Sequence, residues 1–351
     1  MKKQSKRINL EQKSIAQQSI PNYPITKPIQ ANTPKTFIST SEQPIANIKD
    51  SNNKEKNTDW DISAAFYAQH ITASKHSKSK DLSKDFPPSH KQNNNTYSCV
   101  GFATTDMVYW YLNKLGYKVE KLSARFNWIA AKETDKLNKQ PTTFIAQAGT
   151  TLKASLDVCR NYGSVDDILL PTETDADADK EKNRLFQGTT EQFYAQAAIY
   201  KIQAYFSLIL PHMNTIGTTM VEEKKRRKIQ VFIWKKWIDN NGPILVRINV
   251  DKEFYEAKKA PLINHVLSEA YQKHAALLIG YNEKNFILRN SWGADWGDKG
   301  NAKLSEDYAL DAIDEAYGIT MPHSNISANG VGAAGGFESR SLIDKILDLL
   351  S

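Results

Sequence analysis

Three residues far apart in the chain have the types and settings that acyl transfer needs: Cys99, His274 and Asn290. A thiol attacks a carbonyl as thiolate, and a cysteine at the start of a helix has its pKa lowered by exposed N–H groups and the helix dipole. The run that begins at Cys99 reads as such a helix, with Ser98 as N-cap and Gly116 just past the end. A cysteine nucleophile also needs an imidazole within hydrogen-bond reach, to take its proton and later return it to the leaving amine. His274 opens an apolar strand, and Asn290 closes the strand that returns after a short polar turn, so one end of a hairpin can present both. A simple two-residue turn pairs position 274 with 293, and Asn290 then needs a bulge or loop to share the histidine's face; the spacing leaves that register open.

Each residue taken singly has an ordinary structural reading. A cysteine is commonly a small buried hydrophobe, a lone histidine a satisfied core residue and an asparagine a turn former. Cys159 falls at a core position of a helix and reads as inert. His90, His212 and His265 show no metal-ligand spacing and take no role, and the sequence calls for neither metal nor cofactor.

The elements that must position these groups follow from composition and periodicity. Residues 1–78 are read as a basic, mostly disordered tail, polar and with prolines at 21, 24, 28, 34 and 44; such a tail is most often a solvated segment, with a prosegment or a targeting region as the functional alternatives. Residues 79–322 form the catalytic body. Its first third is helical, with helices expected from Cys99, around 124–137 and around 151–161. An insertion at about 172–215 opens with the acidic string Glu173-Thr174-Asp175-Ala176-Asp177-Ala178-Asp179. Ile229, Phe232, Ile233 and Trp237 share one face of a further helix, after which the chain turns to antiparallel strands. Residues 323–351 read as a Gly-rich linker and a short amphipathic helix with Leu342, Ile343, Ile346, Leu347 and Leu350 on one stripe.

Bulk properties narrow the function classes. The net charge is +7, but residues 1–58 carry 10 basic against 4 acidic side chains, so +6 of it lies in the tail. The body is close to neutral and offers no basic footprint for nucleic acid. No apolar run approaches the roughly 20 residues that span a bilayer, and the basic amino terminus lacks the apolar stretch of an export signal. With only two cysteines the expectation is a reducing compartment, either the cytoplasm or a destination reached by a signal-independent route.

Three strings carry a resemblance. They are Ser98-Cys99-Val100-Gly101-Phe102-Ala103, then His274-Ala275-Ala276-Leu277-Leu278-Ile279-Gly280-Tyr281, then Asn290-Ser291-Trp292-Gly293-Ala294-Asp295-Trp296-Gly297-Asp298-Lys299-Gly300. Together they resemble the papain-like cysteine peptidases, over roughly residues 81–320 and in the order Cys, His, Asn. The resemblance implies an α+β fold of two lobes, a helical one carrying the cysteine and a β-rich one carrying the histidine, with a peptide or protein substrate in the cleft between. It implies Cys99 as nucleophile, His274 as base and acid, Asn290 as the residue orienting the ring, and Trp292 shielding that bond. An upstream glutamine completes the oxyanion hole in this family; Gln92 is the candidate, with Asn93 its rival at the standard offset. Gly149 and Thr150 are the candidate substrate-pairing edge, and Ala275 a pocket wall.

The chain departs from the pattern in places. Thr96 stands where the general signature has a cysteine and Val100 where it has an aromatic. The Cys-to-His separation is 175 residues, against about 130 to 150 in papain relatives, and the insertion accounts for it. Two functions fit: a peptidase, and a papain-fold module that captures peptides without turnover. A ligase or transpeptidase uses the same acyl-enzyme and is not separable here from a hydrolase.

Overall fold

The computed structural model describes residues 76–92, 97–134, 149–172, 191–210, 220–257 and 272–322. The tail before residue 76, most of the acidic insertion and the segment after 322 lie outside the described residues, as do Asn93, His212 and His265. The described body is α+β with two lobes, as the sequence predicts.

The helical lobe is built from α1 (Cys99–Lys114), α2 (Ala124–Thr134) and α3 (Leu152–Asn161). Helix α1 ends where expected: Gly116 adopts a positive φ of 88°, and the N–H groups of Gly116 and Tyr117 return to the carbonyls of Asn113 and Leu112. Ser98 occupies the N-cap position of α1 but makes no side-chain cap bond there, whereas Thr151 caps α3 by accepting from Ala154 N–H. Helix α1 is buried on nearly all sides because it lies between α2, α3 and the sheet. It approaches α2 at Gly101, where a Cβ would stand 2.5 Å from the Ala124 carbonyl oxygen. Inside the lobe, Ser155 Oγ lies 2.7 Å from Thr104 Oγ1 and 2.5 Å from Asn127 Oδ1. Asn127 Nδ2 donates to the Ser155 carbonyl and to Cys159 Sγ. One buried polar network therefore ties the three helices together.

The second lobe is an antiparallel sheet, seven-stranded among the described residues. It comprises β1 (Lys80–Asp81), β2 (Ala204–Ser207), β3 (Ile244–Val250), β4 (Gln272–Tyr281), β5 (Asn285–Arg289), β6 (Asn301–Ser305) and β7 (Ile313–Thr320). The order is β2-β7-β3-β4-β5-β6, with β1 pairing the far end of β4. Residues 76–78, assigned by composition to the tail, are held to this body: Ser77 bonds Asp239 through its N–H and hydroxyl, and Tyr281 OH donates to the Ser77 carbonyl.

The long helix of this region, Met220–Asn240, differs from the one-faced helix expected. Residues 229–238 are buried all round, because the helix packs against the sheet and against a short helix, Glu306–Ala312. Lys235 is buried with it and is satisfied by Glu306 and by the Glu283 carbonyl. No helix among the described residues is long and apolar enough to cross a membrane.

Candidate active site

The hairpin register settles the question left open by spacing. Tyr281 pairs Phe286 and Gly280 pairs Ile287, but from Leu278 the partner is Leu288 and from Leu277 it is Arg289. Ile279 is thus the extra residue of a β-bulge. The shift of one residue, continued past Arg289, sets Asn290 opposite Ala276, on the face that His274 shares. Without the bulge Asn290 would project to the other side. His274 Nε2 lies 2.7 Å from Asn290 Oδ1, and both residues are buried.

This contact fixes the tautomer. The same Asn290 oxygen accepts from the Ser291 backbone N–H at 2.7 Å, which can only donate, so Nε2 must carry the proton. The lone pair of the neutral ring is then on Nδ1. Trp292 lies over the imidazole, with ring centroids 4.8 Å apart, and Phe254, Tyr255 and Trp296 pack around Trp292. The wall excludes water from the Asn290 bond, which strengthens it.

Cys99 reaches this group from α1. The Ala275 N–H, one residue past His274, lies near enough to the Cys99 sulfur to pull the thiol's pKa down. Two residues upstream, Tyr97 holds a φ of 52°, and its carbonyl accepts from Trp128 Nε1 at 3.1 Å. That bond secures an unfavourable left-handed turn that leads the chain into the helix.

The electrostatics depart from expectation. Burial pushes the Cys99 thiol up to about 11, against the pull of the Ala275, Val100 and Cys99 N–H groups. Burial also pushes His274 down to about 4, against the Asn290 hydrogen bond. The helix start does lower the thiol's pKa, but desolvation outweighs it, so the closed site favours a neutral thiol beside a neutral imidazole. Cys159 is buried among Asn127 and Ser164 and is pushed to about 12, as suits an unreactive thiol.

Gln92 is docked on the Asn290 loop by three bonds that run along residues 89–92 and 290–293. Ser89 Oγ donates to the Asn290 carbonyl, Gly293 N–H to the His90 carbonyl and Gln92 N–H to the Ser291 carbonyl. The side-chain oxygen of Gln92 accepts from Ser291 Oγ at 2.7 Å. Its Nε2, buried, has no hydrogen-bond partner among the described residues. Gly149 and Thr150 are buried immediately before the α3 cap. Ala275 is buried, directly across from Arg247 on β3.

Several participants were missed by reading the sequence. Ser291 and Ser89 carry no type-specific signal, and nothing in the types of Phe254 and Tyr255 shows that they pack against Trp292. His90, read above as taking no role, lies with Nδ1 3.1 Å from buried Asp106. A carboxylate seven residues after Cys99 in an otherwise apolar helix was the available signal. Among the described residues no cluster of His, Cys, Asp and Glu could hold a metal.

Known proteins resemble this chain over part of its length. Residues 181–323 match the family model of the papain family cysteine protease. The viral cathepsin of Cydia pomonella granulosis virus is 43% identical over 72 residues, which is 19% of this chain and 21% of that protein. Mouse cathepsin F is 38% identical over 69 residues, 18% of this chain and 15% of that protein. The chain thus matches less than a quarter of the length of either relative. Xylellain, a cysteine protease from Xylella fastidiosa, superposes with a TM-score of 0.55 at 18% identity, covering 71% of this chain and 88% of that one. Digestive procathepsin L 3 of the Tenebrio molitor larval midgut gives 0.51 at 16% identity, covering 74% and 80%. Residues 181–323, which include His274 and Asn290 but not Cys99, are thus similar to the papain family of cysteine proteases, and the described body has the papain-like fold.

Proposed function

We propose that the chain is a thiol-dependent peptidase in which Cys99 forms an acyl-enzyme, His274 moves the proton and Asn290 orients the ring. The observation that carries this reading is the convergence of the Cys99 sulfur on the Ala275 N–H, next to a histidine whose far nitrogen is held by Asn290. The lone pair on Nδ1 takes the thiol proton as the sulfur bonds to the peptide carbonyl carbon. The carbonyl oxygen becomes an oxyanion, for which Gln92 Nε2 and the first-turn N–H of Cys99 are the donors. His274 then gives the proton to the leaving amine as the C–N bond breaks. A water, deprotonated by the same nitrogen, displaces the sulfur and releases the acid.

Burial, which raises the Cys99 thiol and lowers His274, favours a second reading, in which the cleft binds peptides and the pair never ionises. Covalent labelling by an epoxide cysteine-peptidase inhibitor, with mapping of the modified residue, separates the two. The peptidase reading expects modification at Cys99 and cleavage of fluorogenic peptides under reducing conditions, abolished in Cys99→Ala. Unlabelled Cys99 together with equal behaviour of wild type and variant on many peptides would overturn the peptidase reading.

A further inference from the structure

A buried charged cluster outside the reacting groups joins the three segments that supply them. Asp106 lies on α1 seven residues beyond Cys99, two turns along the same side of the helix. Its carboxylate accepts from Arg289 Nε at 2.8 Å and stands 3.1 Å from His90 Nδ1. Arg289 immediately precedes Asn290, and its Nη2 donates to the Pro87 carbonyl at 2.9 Å. The guanidinium also covers the Phe86 ring, 4.8 Å from its centroid. Both charged side chains are buried, and the carboxyl of Asp106 is held down to about 2 by Arg289 and His90 in spite of burial.

Buried ion pairs are weak sources of stability, because desolvation consumes most of the Coulombic gain and apolar replacements often do as well. Their use is geometric, and here the geometry is specific. One end of the cluster is fixed to the helix of Cys99, the second to the backbone of Asn290, and the third, through Pro87 and His90, to the segment that ends in Gln92. A planar guanidinium can bond a carboxylate and a carbonyl in fixed directions at once, which an ammonium cannot reproduce.

We propose that Asp106, Arg289 and His90 are positioning residues that form a clamp across the two lobes, with Arg289 setting the Gln92 amide relative to the Cys99 sulfur. This rests on the peptidase reading given above. Alkylation of Cys99 by iodoacetamide requires the sulfur and its proton acceptor, whereas turnover also requires the oxyanion donor, so the two readouts separate positioning from general damage.

The test is Arg289→Lys, which keeps the charge and loses the fork, measured for kcat, KM, Cys99 alkylation rate against pH, and Tm. The expected result is a fall in kcat of about 10- to 100-fold, with KM and the alkylation profile close to wild type. Asp106→Asn, of nearly equal volume, is expected to show the same split and serves where the lysine variant does not fold. Wild-type kcat in both variants overturns the clamp, as does loss of turnover and alkylation in parallel with a fall in Tm, which marks a purely structural cluster. A wild-type protein that neither cleaves peptides nor alkylates faster than an ordinary thiol overturns the peptidase reading itself.

Discussion

The two lobes hold their parts of the site by different means. His274 and Asn290 are placed by a ladder of backbone bonds whose register admits no intermediate settings: one extra residue at Ile279 decides which face Asn290 occupies. Cys99 is placed by the crossing of α1 over α2 at Gly101 and by buried polar contacts, and many sequences could supply such a crossing. A discrete constraint demands particular residue types, and a continuous one demands volumes. The family match covers residues 181–323, which hold His274 and Asn290, and does not reach Cys99.

Gln92 tests the boundary between these regimes, since it precedes the helical lobe in sequence but is docked on the Asn290 loop. Gln92→Ala is expected to lower kcat by about 10²- to 10³-fold, the usual cost of one oxyanion donor, while leaving Cys99 alkylation unchanged. Ser291→Ala, which frees the amide without removing it, should cost less. Steady-state kinetics beside alkylation rates check both. Full activity in Gln92→Ala would move the donor role to its rival, Asn93, and would detach the oxyanion hole from the β lobe.

The same contrast governs what the sequence disclosed. The Asn290 to Gly300 string was legible because its glycines meet backbone demands that favour glycine: Gly293, Gly297 and Gly300 all have positive φ. The helices from Cys99, near 124 and near 151 were legible from caps and periodicity. The bulge at Ile279 was not, because nothing in a run of alanines, leucines and isoleucine distinguishes the residue that steps out of the ladder. Nor was the burial around the whole end of Met220–Asn240, since its Lys235 and Lys236 read as solvent-facing until Glu306 and the neighbouring strands are in place. Asp106 and Arg289 were passed over in the sequence, and only the fold shows that they meet. The sign of the Cys99 shift depends on desolvation, which sequence does not report.

Acid titration sets the lobes against each other thermodynamically. His274 is held near 4 in the folded state against an ordinary value of 6.5, so the unfolded chain binds a proton first and stability falls as pH drops from about 6.5 to about 4. The full difference is worth about 3 kcal/mol at 1.4 kcal/mol per pKa unit, or several degrees in Tm. Asp106, held near 2 against 3.8, contributes stability that is present above 3.8 and lost as pH falls through about 2. His274, in the β lobe, thus contributes in the first window and Asp106, in the helical lobe, in the second. His274→Gln should flatten Tm between pH 6.5 and 4 and leave the lower window as it was. A wild type with constant Tm across the first window, beside a Cys99→Ala variant that loses several degrees there, would show that the thiol and imidazole ionise as a pair.

The smallest expected effect concerns one methyl group. In Gly101→Ala the new carbon would stand 2.5 Å from the Ala124 carbonyl oxygen and 3.0 Å from Trp128 Cβ, so the helices must separate. Overpacking of this kind costs about 1–3 kcal/mol. The matching change in the β lobe is Gly280→Ala, whose Cβ would meet the Lys80 carbonyl oxygen at 2.6 Å and strain the pairing of β1 with β4 at the end of the strand remote from His274. The two substitutions should lower Tm by similar amounts. They should differ in kcat, because displacement at Gly101 is transmitted along a rigid helix to a sulfur two residues away, whereas strain at Gly280 can be relieved by moving a two-residue edge strand. Equal losses of kcat would mean that a ladder carries distortion to the site as readily as a helix crossing does, and the distinction between the lobes would then hold for recognition in sequence but not for mechanics.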